Sequence, residues 1–186
     1  MSKDFQQTTW DATLEDDCRQ LVRLALREDR QHLPDWTTDA LVPHELHGSA
    51  VLVAREPGVL AGLPAAAVTL DEMATAVRWE PCRRDGDRIE RGTTVARMSG
   101  PVRDVLTSER LVLNLLSRLS GVASLTRRYV DAVADRAVGI YDTRKTTPGW
   151  RRLEKYAVRC GGGCNHRTGL FDAVLIKDNH LAVPAA

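Results

Sequence analysis

The hydrophobic period changes once along these 186 residues, near Gly100-Pro101, and that change limits the folds open to the chain. Before it, short apolar runs alternate with turns. Residues 49–55 read as a strand, Glu56-Pro57-Gly58 as a turn, 59–62 as a return, and 64–76 as a helix with Pro64 in its first turn. Residues 76–80 and 94–98 read as two further strands, separated by Asp85-Gly86-Asp87 and Arg91-Gly92, which suit antiparallel pairing. An amphipathic helix over 13–29 precedes them, with Leu14, Cys18, Leu21, Val22 and Ala25 on one face, and the polar, proline-broken 31–48 is expected to be loop. Beyond Gly100-Pro101, Val102, Leu106, Leu113, Leu116 and Leu119 trace one helix and 121–134 a second. Strand (138–141), helix (150–160) and strand (173–176) follow. The chain therefore predicts an α+β unit followed by β-α-β repetition, with a boundary between Gly100 and Thr107 that divides it into 1–107 and 108–186.

Composition narrows the function classes. The 26 Lys and Arg against 25 Asp and Glu produce no overall field for wrapping nucleic acid or coating an anionic membrane. The greasiest stretch, 58–70, is broken by Gly62 and Pro64 and is shorter than the ~20 apolar residues of a membrane span. Met1-Ser2-Lys3-Asp4-Phe5-Gln6 lacks the apolar run of a secretory signal, so a cytoplasmic location is expected. Cys18, Cys82, Cys160 and Cys164 match neither a disulfide framework nor paired CxxC zinc ligands, and no metal ligand is assigned among them.

Charge is nevertheless uneven. From Asp142 onward there are eight basic and four acidic side chains, against 18 and 21 before it. Both late strands release polar residues at their C-terminal ends: Asp142-Thr143-Arg144-Lys145 and Lys177-Asp178-Asn179-His180. Functional side chains collect at that edge in α/β sheets and barrels. Gly161-Gly162-Gly163 ahead of Cys164-Asn165-His166-Arg167 reads either as an anion cradle of backbone N–H groups or as a helix C-terminal cap. Arg144, Lys145, His166, Arg167 and Lys177 are then five groups able to carry positive charge. Two unit charges at ~4 Å repel by about 4 kcal/mol at an effective dielectric near 20, so their convergence predicts a polyanionic ligand. Asp142 and Glu154 read as supporting or helix-surface charges rather than catalytic acids.

These residues carry a resemblance. Glu109-Arg110 with Leu113-Asn114, Ser120-Gly121-Val122-Ala123, the run from Asp142-Thr143-Arg144-Lys145 through Thr146-Thr147-Pro148-Gly149, Glu154-Lys155-Tyr156-Ala157-Val158, Gly161-Gly162-Gly163-Cys164-Asn165-His166-Arg167 and Leu175-Ile176-Lys177-Asp178-Asn179-His180 are similar to quinolinate phosphoribosyltransferase. The resemblance implies an N-terminal α+β sandwich-like domain followed by the first part of an incomplete TIM-like α/β barrel. It implies that quinolinate and phosphoribosyl pyrophosphate condense to nicotinate mononucleotide, pyrophosphate and carbon dioxide. Arg144, Arg167 and Lys177 would hold carboxylates or phosphates, with Thr143 beside them, and Lys145 and His166 would complete the cationic shell. Lys145, Lys177 and His166 are thereby the catalytic candidates. Arg110 matches an arginine supplied to the partner's site across a homodimer interface. Magnesium would accompany phosphoribosyl pyrophosphate, its protein carboxylates expected downstream of this chain.

The family continues beyond Asn179-His180, so these 186 residues are expected to be truncated and inactive alone. The readings set beside this one are a related phosphoribosyltransferase-like protein associated with molybdate transport and a non-catalytic polyanion-binding fragment. A biotinyl or lipoyl carrier hairpin around Asp87-Arg88-Ile89-Glu90-Arg91-Gly92 fails for want of a lysine in the turn.

Overall fold

The first helix, α1 (Ala12–Arg30), begins where Asp11 accepts the Leu14 N–H at 2.8 Å. Leu14, Cys18 and Val22, one helical turn apart, are its buried stripe. The computed structural model describes residues 5–31, 33–134 and 136–182. A second, six-residue helix, α2 (Trp36–Leu41), stands where a loop is expected. Asp35 explains it: its carboxylate takes both the N–H and the hydroxyl of Thr38, so an acidic residue of the expected loop is an N-cap.

Three strands form an antiparallel sheet in the order β1 (His47–Val53), β5 (Thr94–Pro101), β3 (Arg78–Pro81), with Val51 opposite Arg97 and Trp79 opposite Met98. The expected return strand does not fold back on β1. Instead β2 (Gly58–Val59) pairs with β4 (Arg88–Ile89). The amides of Val59 and Ala61 donate to the hydroxyls of Ser124 and Ser120, so a helix takes the place of a strand neighbour there. The helix α3 (Leu63–Glu72) follows, with proline in its first turn.

One continuous helix, α4 (Val102–Ala132), replaces the two predicted on either side of Gly121, and it runs unbroken through residues 107 and 108. A mid-helix glycine costs about 1 kcal/mol relative to alanine. The serine bonds to 59–61 and the continuing contacts of Val122 and Ala123 offset that cost. α4 serves two cores. Leu111, Leu115 and Leu119 pack with α1, α3 and α5 (Arg151–Cys160), whereas Val105, Val112 and Leu116 pack under the sheet with Leu63, Leu70, Val95 and Met98.

The β-α-β repetition is present only in outline. Tyr141 and Cys164 form an isolated parallel bridge, with the Cys164 N–H on the Ile140 carbonyl at 2.8 Å and the Asp142 N–H on the Cys164 carbonyl at 3.0 Å. Of the strand expected over 138–141 only the single bridge at Tyr141 forms, beside the far end of the 161–164 loop, and 173–176 form no strand. Val174 is 85% exposed and Ile176 66%, and among the described residues no neighbouring strand offers them a ladder. A four-residue helix, α6 (Asp178–Leu181), follows. Among the described residues no helix is long and apolar enough to cross a membrane.

Candidate active site

The three glycines are a helix ending rather than an anion cradle. Gly163 N–H bonds the Val158 carbonyl and Gly162 N–H the Arg159 carbonyl, with Gly162 in the left-handed region at φ 87°. This is a Schellman cap, in which the amides that would face an anion are already used. Gly161 is required for a different reason, since a Cβ there would sit 2.3 Å from the Ala123 carbonyl oxygen. The cap lets α5 end hard against α4 and sends the chain directly into Asn165-His166-Arg167.

At that exit lies a buried polar node. Lys155, on α5, is fully buried, and its Nζ donates to Asp142 Oδ1 at 2.5 Å and to the His166 carbonyl at 3.0 Å. Asn165, also fully buried, donates through Nδ2 to Asp142 Oδ2 and to the Lys155 carbonyl, and the His166 N–H completes Asp142 Oδ1 at 2.9 Å. Asp142 thus accepts three nitrogen donors and binds the two polar segments to one point. The N-terminal segment closes the other side. Thr8 N–H donates to Asn165 Oδ1 at 2.7 Å, the Gln7 amide pairs with both main-chain groups of Asn165, and the Phe5 ring lies over the His166 imidazole with centroids 4.2 Å apart.

Two further ties hold the loop after Asp142. Arg151 Nε donates to Thr146, while Arg118, on α4, reaches Thr147 and Glu154 and lies 5.4 Å from the centre of the Trp150 ring. Thr143, Arg144 and Lys145 are therefore presented between anchored ends. Thr143 and Lys145 are exposed, and the Lys145 N–H folds back on the Thr143 hydroxyl. Arg144 is half-buried, and its buried Nε has no hydrogen-bond partner among the described residues. Arg167 is buried and donates to the Ala173 carbonyl. Lys177 is exposed at the start of α6, where its N–H bonds His180 Nδ1. Arg110 is exposed in a groove between α4 and residues 52–60, a groove to which none of the other five contributes. Among the described residues no ion pair joins Arg110, Arg144, Lys145, Arg167 or Lys177 to a carboxylate.

Lys155, Asn165, Arg118 and the 5–8 segment carry this arrangement; Lys155 and Asn165 stand in motifs visible in the sequence, but none of these residues has a role assigned from it. Lys155 lies about 200° round the helix from Leu153, so the apolar period of α5 does not point to its burial. Asp85 joins the two halves behind the site: it caps α3 through the Gly62 and Leu63 amides and accepts the Tyr156 hydroxyl at 2.8 Å. Burial, with the Asp85 charge second, raises the Tyr156 phenol and pushes the neighbouring Cys160 thiol up to about 12.

Family models described as the N-terminal and C-terminal domains of quinolinate phosphoribosyl transferase match residues 35–120 and 122–185 in that order. The chain belongs to this family. Of its relatives, the carboxylating nicotinate-nucleotide pyrophosphorylase of Mycobacterium leprae is 46% identical over 90% of this chain and 60% of its own length. The chloroplastic protein of the same name from Arabidopsis thaliana is 39% identical over 89% of this chain and 47% of its own length. The solved nicotinate-nucleotide pyrophosphorylase of Francisella tularensis superposes with a TM-score of 0.89 at 35% identity, covering 95% of this chain and 62% of that one. The chain thus spans roughly half to three fifths of the length of the family members it matches.

Proposed function

We propose that the protein transfers a phosphoribosyl group from phosphoribosyl pyrophosphate to quinolinate with decarboxylation, yielding nicotinate mononucleotide, pyrophosphate and carbon dioxide in NAD biosynthesis. One observation carries this reading: Asp142 ties the Thr143-Arg144-Lys145 segment to His166-Arg167, so two cation-bearing segments issue from one buried point in a chain of this family. The names of its relatives supply the reaction.

In this reading the pyridine nitrogen attacks the ribose anomeric carbon as the bond to pyrophosphate breaks, and a proton replaces the carboxylate that leaves the ring. Arg144, Arg167 and Lys177 hold carboxylates or phosphates, with Thr143 beside them. Lys145 and His166 complete a positive shell that orients the reactants and stabilises charge on the departing groups. Arg110 acts across a homodimer interface in the partner's site. The α5 crossover between Tyr141 and Cys164 is taken as the first unit of an incomplete α/β barrel, residues 108–186 as that domain, and the cytoplasm as the location. The acids present do not fit a protein-held magnesium ion. Among the described residues no three potential ligands converge, and both oxygens of Asp142 are engaged by nitrogen donors.

The test is pyrophosphate release from phosphoribosyl pyrophosphate by the intact gene product. Release that requires quinolinate supports the proposal, and release indifferent to quinolinate, or none, refutes it. In the active protein Arg144→Ala should raise KM for quinolinate about tenfold, one charge-assisted contact of ~1.4 kcal/mol. An unchanged KM removes Arg144 from the shell.

A further inference from the structure

Gln7 and Asn165 are separated by 158 positions in sequence, yet their amide and main chain meet as a rung of strand pairing would. Gln7 Oε1 accepts the Asn165 N–H at 2.8 Å, and Gln7 Nε2 reaches the Asn165 carbonyl at 3.3 Å and its own neighbour's, that of Phe5, at 2.7 Å. Thr8 adds its N–H to Asn165 Oδ1. Asn165 is thereby held from both sides, by Asp142 and Lys155 within the node and by residues 7 and 8 outside it. The next residue is His166, whose ring face is covered by Phe5 at 4.2 Å with the planes 35° apart.

We propose that residues 5–8 form a strap belonging to the substrate site, in which Phe5 and Gln7 are positioning residues for His166. The inference rests on the reading of His166 as a substrate group. An aromatic on one face of an imidazole restrains its rotation while leaving both nitrogens, which lie in the ring plane, available to an anion. A side chain held before the ligand arrives loses less freedom on binding. Gln7 and Thr8 bond the buried Asn165, but the Phe5 ring on His166 adds little to the core. Phe5 and Gln7 are only partly buried and Gln6 is exposed, whereas the fully buried contacts of the N-terminal region belong to Leu14, Cys18 and Val22 of α1.

The experiment compares the intact gene product as wild type, Phe5→Leu, Phe5→Tyr and Gln7→Ala. NMR reads the His166 ring protons, quinolinate is titrated as the probe, and the melting midpoint is recorded for each. Phe5→Leu should move the His166 ring protons by removing a ring current, and Phe5→Tyr should restore them. Phe5→Leu and Gln7→Ala should weaken quinolinate binding about fivefold, ~1 kcal/mol, with Phe5→Tyr within about twofold of wild type; the two Phe5 variants should melt close to wild type, whereas Gln7→Ala, which takes the acceptor from the buried Asn165 N–H, should melt lower. Rescue by tyrosine separates ring positioning from general destabilisation. Ring protons indifferent to Phe5→Leu overturn the strap. So does wild-type affinity in Phe5→Leu and Gln7→Ala. A wild-type chain that does not bind quinolinate, with the ring shifts as expected, overturns instead the quinolinate reading on which the strap's role rests.

Discussion

Replacing Lys155 with methionine keeps most of the volume of a fully buried side chain and removes its charge. Asp142, whose side chain is only 7% exposed, would keep the Asn165 and His166 N–H donors but lose its ammonium partner, and the His166 carbonyl would lose a donor as well. Removing one member of a buried ion pair typically costs about 3–5 kcal/mol, because the other charge stays buried without compensation. The two remaining N–H donors place the expectation at the lower end, about 3 kcal/mol. With a urea m-value of roughly 2 kcal/mol/M the unfolding midpoint should fall by about 1.5 M. Asp142→Asn strands the ammonium instead, so the double variant should cost clearly less than the two single losses added. Urea unfolding of the four proteins measures this cycle. A Lys155→Met loss below about 1 kcal/mol, or single losses that add within about 0.5 kcal/mol, would refute the node.

Two glycines test the helix contacts in opposite directions. Gly121 is exposed in mid-α4 with nothing within 4 Å of an added Cβ, so Gly121→Ala should stabilise the chain by about 0.5–1 kcal/mol in thermal or urea unfolding. Gly161→Ala sets a methyl against backbone at 2.3 Å and should cost about 1–3 kcal/mol or more. The thiols supply a chemical test. Burial raises Cys18 and Cys160 to about 12, the thiolate being the disfavoured form, so both should resist iodoacetamide at pH 8 in the native chain and react once it is unfolded in urea. Because the folded values lie above the unfolded one near 8.5, these thiols withdraw stability as pH rises from there toward about 12, and native labelling at pH 8 of the buried Cys18 would contradict its place in the core.

How much of the fold is legible depends on how local its cause is. α1 is readable because its apolar residues recur within one helix, and the antiparallel β3 and β5 because glycine turns lie between them. β2 is misread because its partners are decided by Ser120 and Ser124, about 60 positions away, and by β4. The split of α4 at Gly121 has the same origin, since intrinsic propensity is overridden by contacts the local sequence does not show. Residues 173–176 have strand composition, but a strand also needs neighbours, and their apolar side chains stand exposed.

The site divides along a similar line. Its cations are visible as a shift in charge balance and as polar residues after short apolar runs, whereas the groups that place them are hidden. Lys155 looks like one more cation of a basic segment. In the structure it is the counter-charge of Asp142, and that difference decides the electrostatics of the site. Had Asp142 paired with Arg144 or Lys145, the acid nearest in sequence would have cancelled the charge offered to a ligand. Instead its oxygens face Lys155, Asn165 and the His166 amide, and Arg144, Lys145 and Arg167 have no carboxylate partner among the described residues. A buried lysine absorbs the carboxylate nearest to Arg144 and Lys145 in sequence, so the exposed and half-buried cations keep their attraction for an anion. On the proposed reading the Lys155→Met/Asp142→Asn cycle bears on function as well as stability, because an Asp142 freed from Lys155 would compete with an anionic substrate for the neighbouring cations.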